Sequence, residues 1–234
     1  MTSPFKRRNY SGHAFKKYVI PFALITGALI ASDRQTADLL PNTSDQVMWS
    51  GRVSQVGAGY SLAGVAIGTY LIGKVSGNRK IRETGLLAGV ALAHSQLLTV
   101  GLKAITQRER PLIFQANPSG RIGFWKGGNS FPSGHSSGSF ALAAVFSYEY
   151  GDQHRWVPFA SYGLASVVAA SRLSGQKHWV SDLFAGSTMG FMIGRYAYKN
   201  HHDSRVDGGH LKRAERFVPQ FGMGPRGLTL AWII

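Results

Sequence analysis

Apolar residues in this 234-residue chain gather into six stretches, at 18–32, 53–73, 84–102, 136–148, 156–171 and 183–198, with polar or glycine-rich connectors between them. Six helices are expected. A helix needs about 20 apolar residues to cross a bilayer, and only the second and third stretches clearly reach that length. The others are short or end in polar residues, and runs of that kind are common in buried core helices, so a soluble helical domain is the alternative to a transmembrane bundle. Gly64 and Gly68, and again Gly186 and Gly190, lie four residues apart, the spacing that lets membrane helices approach closely or that marks an ordinary helix contact. After 200 the pattern changes. Residues 217–221 and 228–234 are short β-like runs around Gly222-Met-Gly-Pro-Arg-Gly227, with Leu228, Leu230, Trp232 and Ile234 alternating with Thr229, Ala231 and Ile233, which predicts a small hairpin. One hairpin cannot close a barrel, so an outer-membrane anchor is disfavoured. The expected fold is therefore all-α, a six-helix bundle read as transmembrane, with a C-terminal β-hairpin. It divides into a basic segment (1–17), a helical domain (18–200), and a polar linker with the hairpin (201–234).

Charge sharpens the membrane reading. Lys and Arg number 26 against 11 Asp and Glu, a formal net charge of +15. The basic residues do not alternate with aromatics along a groove-like segment and no nucleic-acid motif is present, so a phospholipid surface is the better partner. With the N-terminus inside and six crossings, Lys6, Arg7, Arg8, Lys16 and Lys17, then Lys74, Arg79, Lys80 and Arg82, then Lys199, Arg205, Lys212, Arg213 and Arg216 all fall on the cytoplasmic side. Asp33, Asp38 and Asp45 fall in an outer loop. That distribution obeys the positive-inside rule. The first apolar stretch follows a basic region, but Ile30-Ala-Ser-Asp33 is a poor cleavage site, so an uncleaved first helix is expected. Mean hydropathy is low for a membrane protein, at −0.06. The chain has no cysteine, which removes disulfide and thiol chemistry without fixing a compartment.

Three connectors carry chemistry. Lys103 and Arg110 are seven apart, two turns along one helix face, with Pro111 favouring a helix stop at Arg110. Phe131-Pro-Ser-Gly-His-Ser136 reads as a tight turn into a helix, with Ser133 as N-cap and backbone N–H groups free to bind an anion. Ser171-Arg172 is followed by His178 and Asp182, whose i,i+4 spacing puts imidazole and carboxylate on one face if a helix begins nearby. Taken singly, each has a plainer reading as a solvated basic face, an ordinary turn or a surface ion pair. Their joint occurrence in this order removes those readings.

Lys103-x6-Arg110-Pro111, Pro132-Ser133-Gly134-His135 and Ser171-Arg172-x5-His178-x3-Asp182 meet every fixed position of a known pattern. The chain resembles the type 2 phosphatidic acid phosphatase family, which shares its site with bacterial acid phosphatases and vanadium haloperoxidases. The resemblance implies that His178 attacks phosphorus to give a phosphohistidine, that Asp182 holds the other ring nitrogen, and that His135 protonates the leaving alkoxide. It also implies that Lys103, Arg110 and Arg172 hold the phosphate, with donors from Ser133 and Gly134. Phosphoryl transfer asks mostly for fixed positive charge on the equatorial oxygens, so this set needs no cofactor and no metal.

Other residues add no competing chemistry. His201-His202-Asp203 lacks a second cluster to close a metal site and reads as a solvated tail. His94 lies within an apolar run and reads as a core or pocket residue, with Gln96 able to share a polar contact. Arg108, Arg121, Lys126 and Lys177 near the motifs read as solvated. No nucleotide-binding glycine loop is present. The leading expectation is an integral inner-membrane phosphatase acting on a lipid phosphomonoester or pyrophosphate at the outer, periplasmic face. A soluble acid phosphatase with the same residues is the alternative. A vanadate-dependent haloperoxidase is weaker, those enzymes being generally larger, and a non-catalytic lipid-binding protein has no need of His135 and His178 together.

Overall fold

Each of the six apolar stretches seeds one long helix in the computed structural model, which describes residues 18–41, 43–116, 123–206, 220–224 and 227–231. The long helices are α1 (Ile20–Asp38), α3 (Gly59–Val75), α4 (Arg79–Thr106), α6 (Gly134–Tyr150), α7 (Trp156–Ser174) and α8 (Val180–Val206). Two short ones, α2 (Ser44–Ser54) and α5 (Pro111–Ala116), complete the helical part, and strands β1 (Gln220–Gly224) and β2 (Gly227–Ala231) follow. The strands pair antiparallel, with Phe221 opposite Leu230, so the expected hairpin is present within the described residues. The basic segment 1–17, Arg121, and Lys212, Arg213 and Arg216 lie outside them.

Three local expectations are corrected. The first helix does not stop at 32 but runs to Asp38, and Asp33, expected in an outer loop, is buried in its last turns at 1% exposure. The stretch 53–73 is not one helix. Thr43 caps α2 by accepting from the Gln46 N–H, and a 3-10 turn at Gln55–Gly57 then ends in extended backbone at Ala58. The turn lies hard against α7, where a Cβ on Gly57 would sit 2.1 Å from Val168 Cγ1. Lastly, α4 ends at Thr106 rather than at Arg110. Gln107 takes a left-handed conformation (φ 45°) and closes the helix by donating its N–H to the Lys103 carbonyl at 2.9 Å. Pro111 begins α5, where its missing N–H costs nothing. Lys103 and Arg110 therefore do not share a helix face.

Packing is inverted relative to a water-soluble bundle. The interior is made mostly of small residues: Ala88, Ala91, Ala141, Ala144 and Ala165 are buried together with Thr84, Ser95, Ser136, Ser137 and Ser139. Large apolar side chains point outward, among them Ile67, Leu71, Ile72, Leu97, Val100, Phe159 and Leu164, each at least half exposed. Small residues let helix backbones approach, and hydroxyls can satisfy themselves on the preceding turn, as Thr84 does on Lys80 O and Ser95 on Leu92 O. Within the described residues, the helical stretches Ser44–Val75 and Arg79–Ile113 each contain an 18-residue window apolar enough to cross a membrane, with mean hydropathies of 1.4 and 1.5 over those windows.

Helices α6 and α8 cross backbone against backbone. A Cβ added at Gly186, Gly190 or Gly194 would lie 2.5, 2.1 or 2.3 Å from the carbonyl oxygens of Ser133, Ser137 and Ala141 respectively, so one glycine ridge on α8 rides along the backbone of α6. Gly64 and Gly68 on α3 differ: nothing lies within 4 Å of a Cβ at either. Gly190→Ala must push the helices apart and should cost roughly 1–3 kcal/mol. Gly68→Ala should be neutral or slightly stabilising, because Ala is the better helix former. Thermal unfolding of both variants in detergent checks the contrast, and equal melting temperatures would contradict the crossing.

Candidate active site

The chain turns that follow from this packing bring the three motifs to one end of the bundle. Lys103 is in the last turn of α4, Gly134 and His135 open α6, Arg172 is in the last turn of α7, and Asp182 is in the first turn of α8. The second and third motifs are locked directly, since the Ser133 N–H donates to the Asp182 carbonyl at 3.0 Å beside the Gly186 contact.

A cavity of about 240 Å³ lies at this end. Lys103, Arg110, Arg172, His135, His178 and Gly134 line it, and Gly57, Gly59, Gln96, Thr99, Val100 and Asn129 complete its wall. Six of the eight residues singled out from the sequence thus share one space. Ser133 and Asp182 stand behind the wall. The Ser133 side chain caps α6, accepting from the N–H and the hydroxyl of Ser136 at 3.4 and 3.1 Å, so its contribution is to hold the helix start. The Gly134 and His135 end of that helix then faces the cavity.

His178 precedes α8 and is buried, with Nδ1 3.4 Å from Asp182 Oδ2. Asp182, near the start of the helix, reaches back to accept the Trp179 N–H at 2.9 Å, an N-terminal cap that fixes the carboxylate. Ser130 Oγ donates to the same oxygen at 2.5 Å. Burial pushes the His178 imidazole down to about 4, against the upward pull of its bond to Asp182, and Lys103 and Arg172 add to the lowering. The ring is therefore neutral at ordinary pH and carries a free nitrogen pair, as a nucleophile requires.

The cations are held from outside the motifs. Lys103 Nζ donates to the carbonyls of Asn129 and Ser130, and Arg110 Nε donates to Asn129 Oδ1 at 3.0 Å. Asn129 therefore sets two cations at once. Arg172 Nη1 donates to Ser54 Oγ at 2.8 Å, which ties the end of α7 to the end of α2. Gln96 donates to the Gly134 carbonyl at 3.1 Å, and His94 Nδ1 lies 2.8 Å from the Val90 carbonyl within its own helix.

Arg108 overturns its expected place in solvent. It is fully buried, pairing with Asp182 Oδ1 and Asp33 Oδ2 at 2.7 Å each, between the rings of Phe124 and Trp179. Lys126 is exposed and Lys177 half-buried. Sequence reasoning missed Asp33, Ser54, Asn129 and Ser130. The signal for Asp33 was available, as a lone carboxylate inside an apolar helix rarely stays without a cationic partner.

The sequence profile of the PAP2 superfamily matches residues 84–205, which takes in all three motifs. A segment of 70 residues, 30% of this chain, is 40% identical to a lipid A 1-phosphatase of Porphyromonas gingivalis, and covers 16% of that longer protein. Among solved structures, the fold is similar to a transmembrane PAP2 type phosphatidylglycerolphosphate phosphatase from Bacillus subtilis (TM-score 0.60, 21% identity, 79% of this chain and 96% of that one). It is also similar to Aquifex aeolicus LpxE (TM-score 0.54, 20% identity, 71% and 92%). With a family profile covering more than half the sequence and the motif residues gathered on one cavity, the chain belongs to the PAP2 superfamily.

Proposed function

We propose that this protein is an integral membrane phosphatase that hydrolyses a lipid phosphomonoester or pyrophosphate without a metal, through a phosphohistidine on His178. The observation that carries the reading is the convergence of three cations and two histidines on one cavity, at the end of a bundle whose exterior is apolar and whose interior is small. In that cavity Lys103, Arg110 and Arg172 hold the phosphoryl oxygens, Arg by planar forks and Lys as a point charge. The N–H groups at the start of α6 add donors along the helix dipole. His178 attacks phosphorus in line and the P–O bond to the leaving group breaks. His135, which takes up a proton as the negatively charged phosphate settles among the cations, gives it to that oxygen, and Asp182 stabilises the positive charge that develops on the His178 ring. Water, deprotonated by His135, then attacks the phosphohistidine, releasing phosphate and restoring His178.

The membrane and the substrate class rest on the same architecture. Lys74 ends α3, Arg79, Lys80 and Arg82 open α4, and Lys199 and Arg205 lie toward the end of α8, all at the end of the bundle away from the cavity. Under the positive-inside rule this distribution supports a cytoplasmic position for that end and an outer one for the cavity. The relatives named above act on lipid phosphates, in keeping with a lipid substrate here.

Released phosphate, measured on protein purified in detergent with a chelator present, tests the reading against phosphatidate, phosphatidylglycerol phosphate, undecaprenyl pyrophosphate and lipid A phosphate. At least one should be hydrolysed, and His178→Ala should reduce the rate by 10³-fold or more, an order-of-magnitude expectation for loss of a nucleophile. Wild-type turnover by that variant would refute the assigned role. The lowered His178 value also makes a stability prediction. The unfolded chain takes up a proton at His178 near 6.5 and the folded one only near 4, so this group's stabilising share is complete above 6.5 and is lost as pH falls from 6.5 toward 4. Melting temperature should therefore drop more steeply over that interval in the wild type than in His178→Ala, and parallel curves would contradict the buried neutral ring.

A further inference from the structure

The Asp182 carboxylate touches more than His178. On its other oxygen sits a fully buried guanidinium, Arg108 Nη1, at 2.7 Å. A full positive charge in that position works against the role given to Asp182, because it offsets the negative charge that would stabilise a cationic or phosphorylated imidazole. The offset is removed by a residue from a distant part of the chain. Asp33, buried near the end of α1, accepts from Arg108 Nη2 at 2.7 Å. It also accepts the Ser181 N–H on Oδ1 at 3.1 Å and the Ser181 hydroxyl on Oδ2 at 2.5 Å, while Arg108 Nη1 donates to the same hydroxyl at 2.6 Å. Two carboxylates around one guanidinium leave one formal negative charge on the buried cluster, facing the His178 ring.

Geometry reinforces the charge argument. Ser181 is the residue before Asp182 in the first turn of α8, so the two bonds from Ser181 to Asp33 pin the peptide that carries the orienting carboxylate. Asp33 lies outside residues 84–205, the region that the superfamily profile matches, and outside all three motifs. A helix that carries none of the motif residues thus reaches the site through one carboxylate. Burying charges this deeply is costly and is not in itself evidence of stabilisation, since apolar packing of the same volume is often as good. A role in setting the charge and the position of Asp182 accounts for the arrangement.

We propose that Asp33 is a positioning residue for phosphoryl transfer, which holds Arg108 and the Ser181 peptide so that Asp182 is fixed and keeps its negative charge toward His178. This rests on the reading of His178 and Asp182 given above. The other charged or titratable groups facing His178 are Lys103 from α4, Arg172 from α7 and His135 from α6, all of which remain when Asp33 is changed.

The test uses Asp33→Asn, which keeps shape and removes the charge, in the full-length protein. Per folded molecule, kcat should fall about tenfold or more while KM stays within about twofold, the pattern for an interaction felt in the transition state rather than in binding. Asp33→Glu should recover part of the loss. A second readout needs no turnover. In protein labelled with ¹⁵N-histidine, the His178 ring signals, assigned with His178→Ala, should show the Nδ1–H tautomer in the wild type. In Asp33→Asn the ring's titration should move to lower pH. If the wild type releases phosphate from none of the substrates but the ring signals respond, the phosphatase reading fails, while the hold of Asp33 on Asp182 and the His178 ring stands apart from any phosphoryl transfer. If Asp33→Asn loses melting temperature while kcat per folded molecule and the His178 signals are unchanged, Asp33 is only a structural ion-pair partner and the proposal is overturned. Should Asp33→Asn fail to fold, Ser181→Ala decides. It removes the hydroxyl shared by Asp33 and Arg108, and an unchanged kcat and an unchanged His178 signal in that variant overturn the proposal equally.

Discussion

The meeting of α6 and α8 backbone against backbone is the constraint on which the remaining geometry depends. Glycines at 186, 190 and 194 remove the side chains that would hold the helices apart, and a carbonyl of α6, or of the cap residue before it, occupies each gap. At the upper end of that ridge the Ser133 peptide is close enough to donate to the Asp182 carbonyl. The start of one helix is thereby registered against the start of the other. A site assembled from loop ends gains its precision from such a crossing, because the helix starts inherit the rigidity of the helices. Widening the crossing by the bulk of one methyl group would be felt at His135 and His178 together.

The six long helices were legible from apolar stretches alone, since burial or lipid contact demands that pattern whatever the tertiary arrangement. The cavity was legible only through the motifs, because sequence spacing says nothing of which helix ends meet. Six of the eight residues chosen on that basis line it, and Ser133 and Asp182 support it from behind. The failures have a common origin. Asp33 and Arg108 looked like surface charges because each is polar within a stretch read singly, and their burial exists only as a pair that joins α1 to the segment after α4. Ser54 and Asn129 carry no motif and no charge, so nothing local marks them out, yet they hold Arg172 and Arg110. Helix ends were misplaced where a single residue decided them, as Gln107 did by turning left-handed four residues before Pro111.

The low mean hydropathy of the chain and its apolar exterior are compatible for a related reason. A bundle held by alanine, serine, threonine and glycine turns most of its large apolar residues outward, so the average over the sequence understates how apolar the surface is. Hydroxyls inside are tolerated because many bond the turn before them, as Ser171 does on the Val168 carbonyl. Such an interior tolerates a charged cluster at one end, where helix starts and donors are already available.

The break between α2 and α3 has a consequence for depth. Hydropathy counts Ser44–Val75 as a single 32-residue span, but the helix that continues without interruption is α3, with 17 residues. At about 1.5 Å per residue it is roughly 25 Å long, slightly less than a hydrocarbon layer of about 30 Å. Across a bilayer, Gly59 at its upper end then lies close to the boundary between acyl chains and headgroups, and Gly59 is part of the cavity wall. The short helix α2 precedes that end, with Arg52 stacked 4.9 Å over the Trp49 ring, a pairing suited to an interface that is apolar on one side and wet on the other. On the phosphatase reading proposed above, a lipid phosphate would meet the three cations in the plane where it already resides, and its tails would stay in the bilayer throughout the reaction.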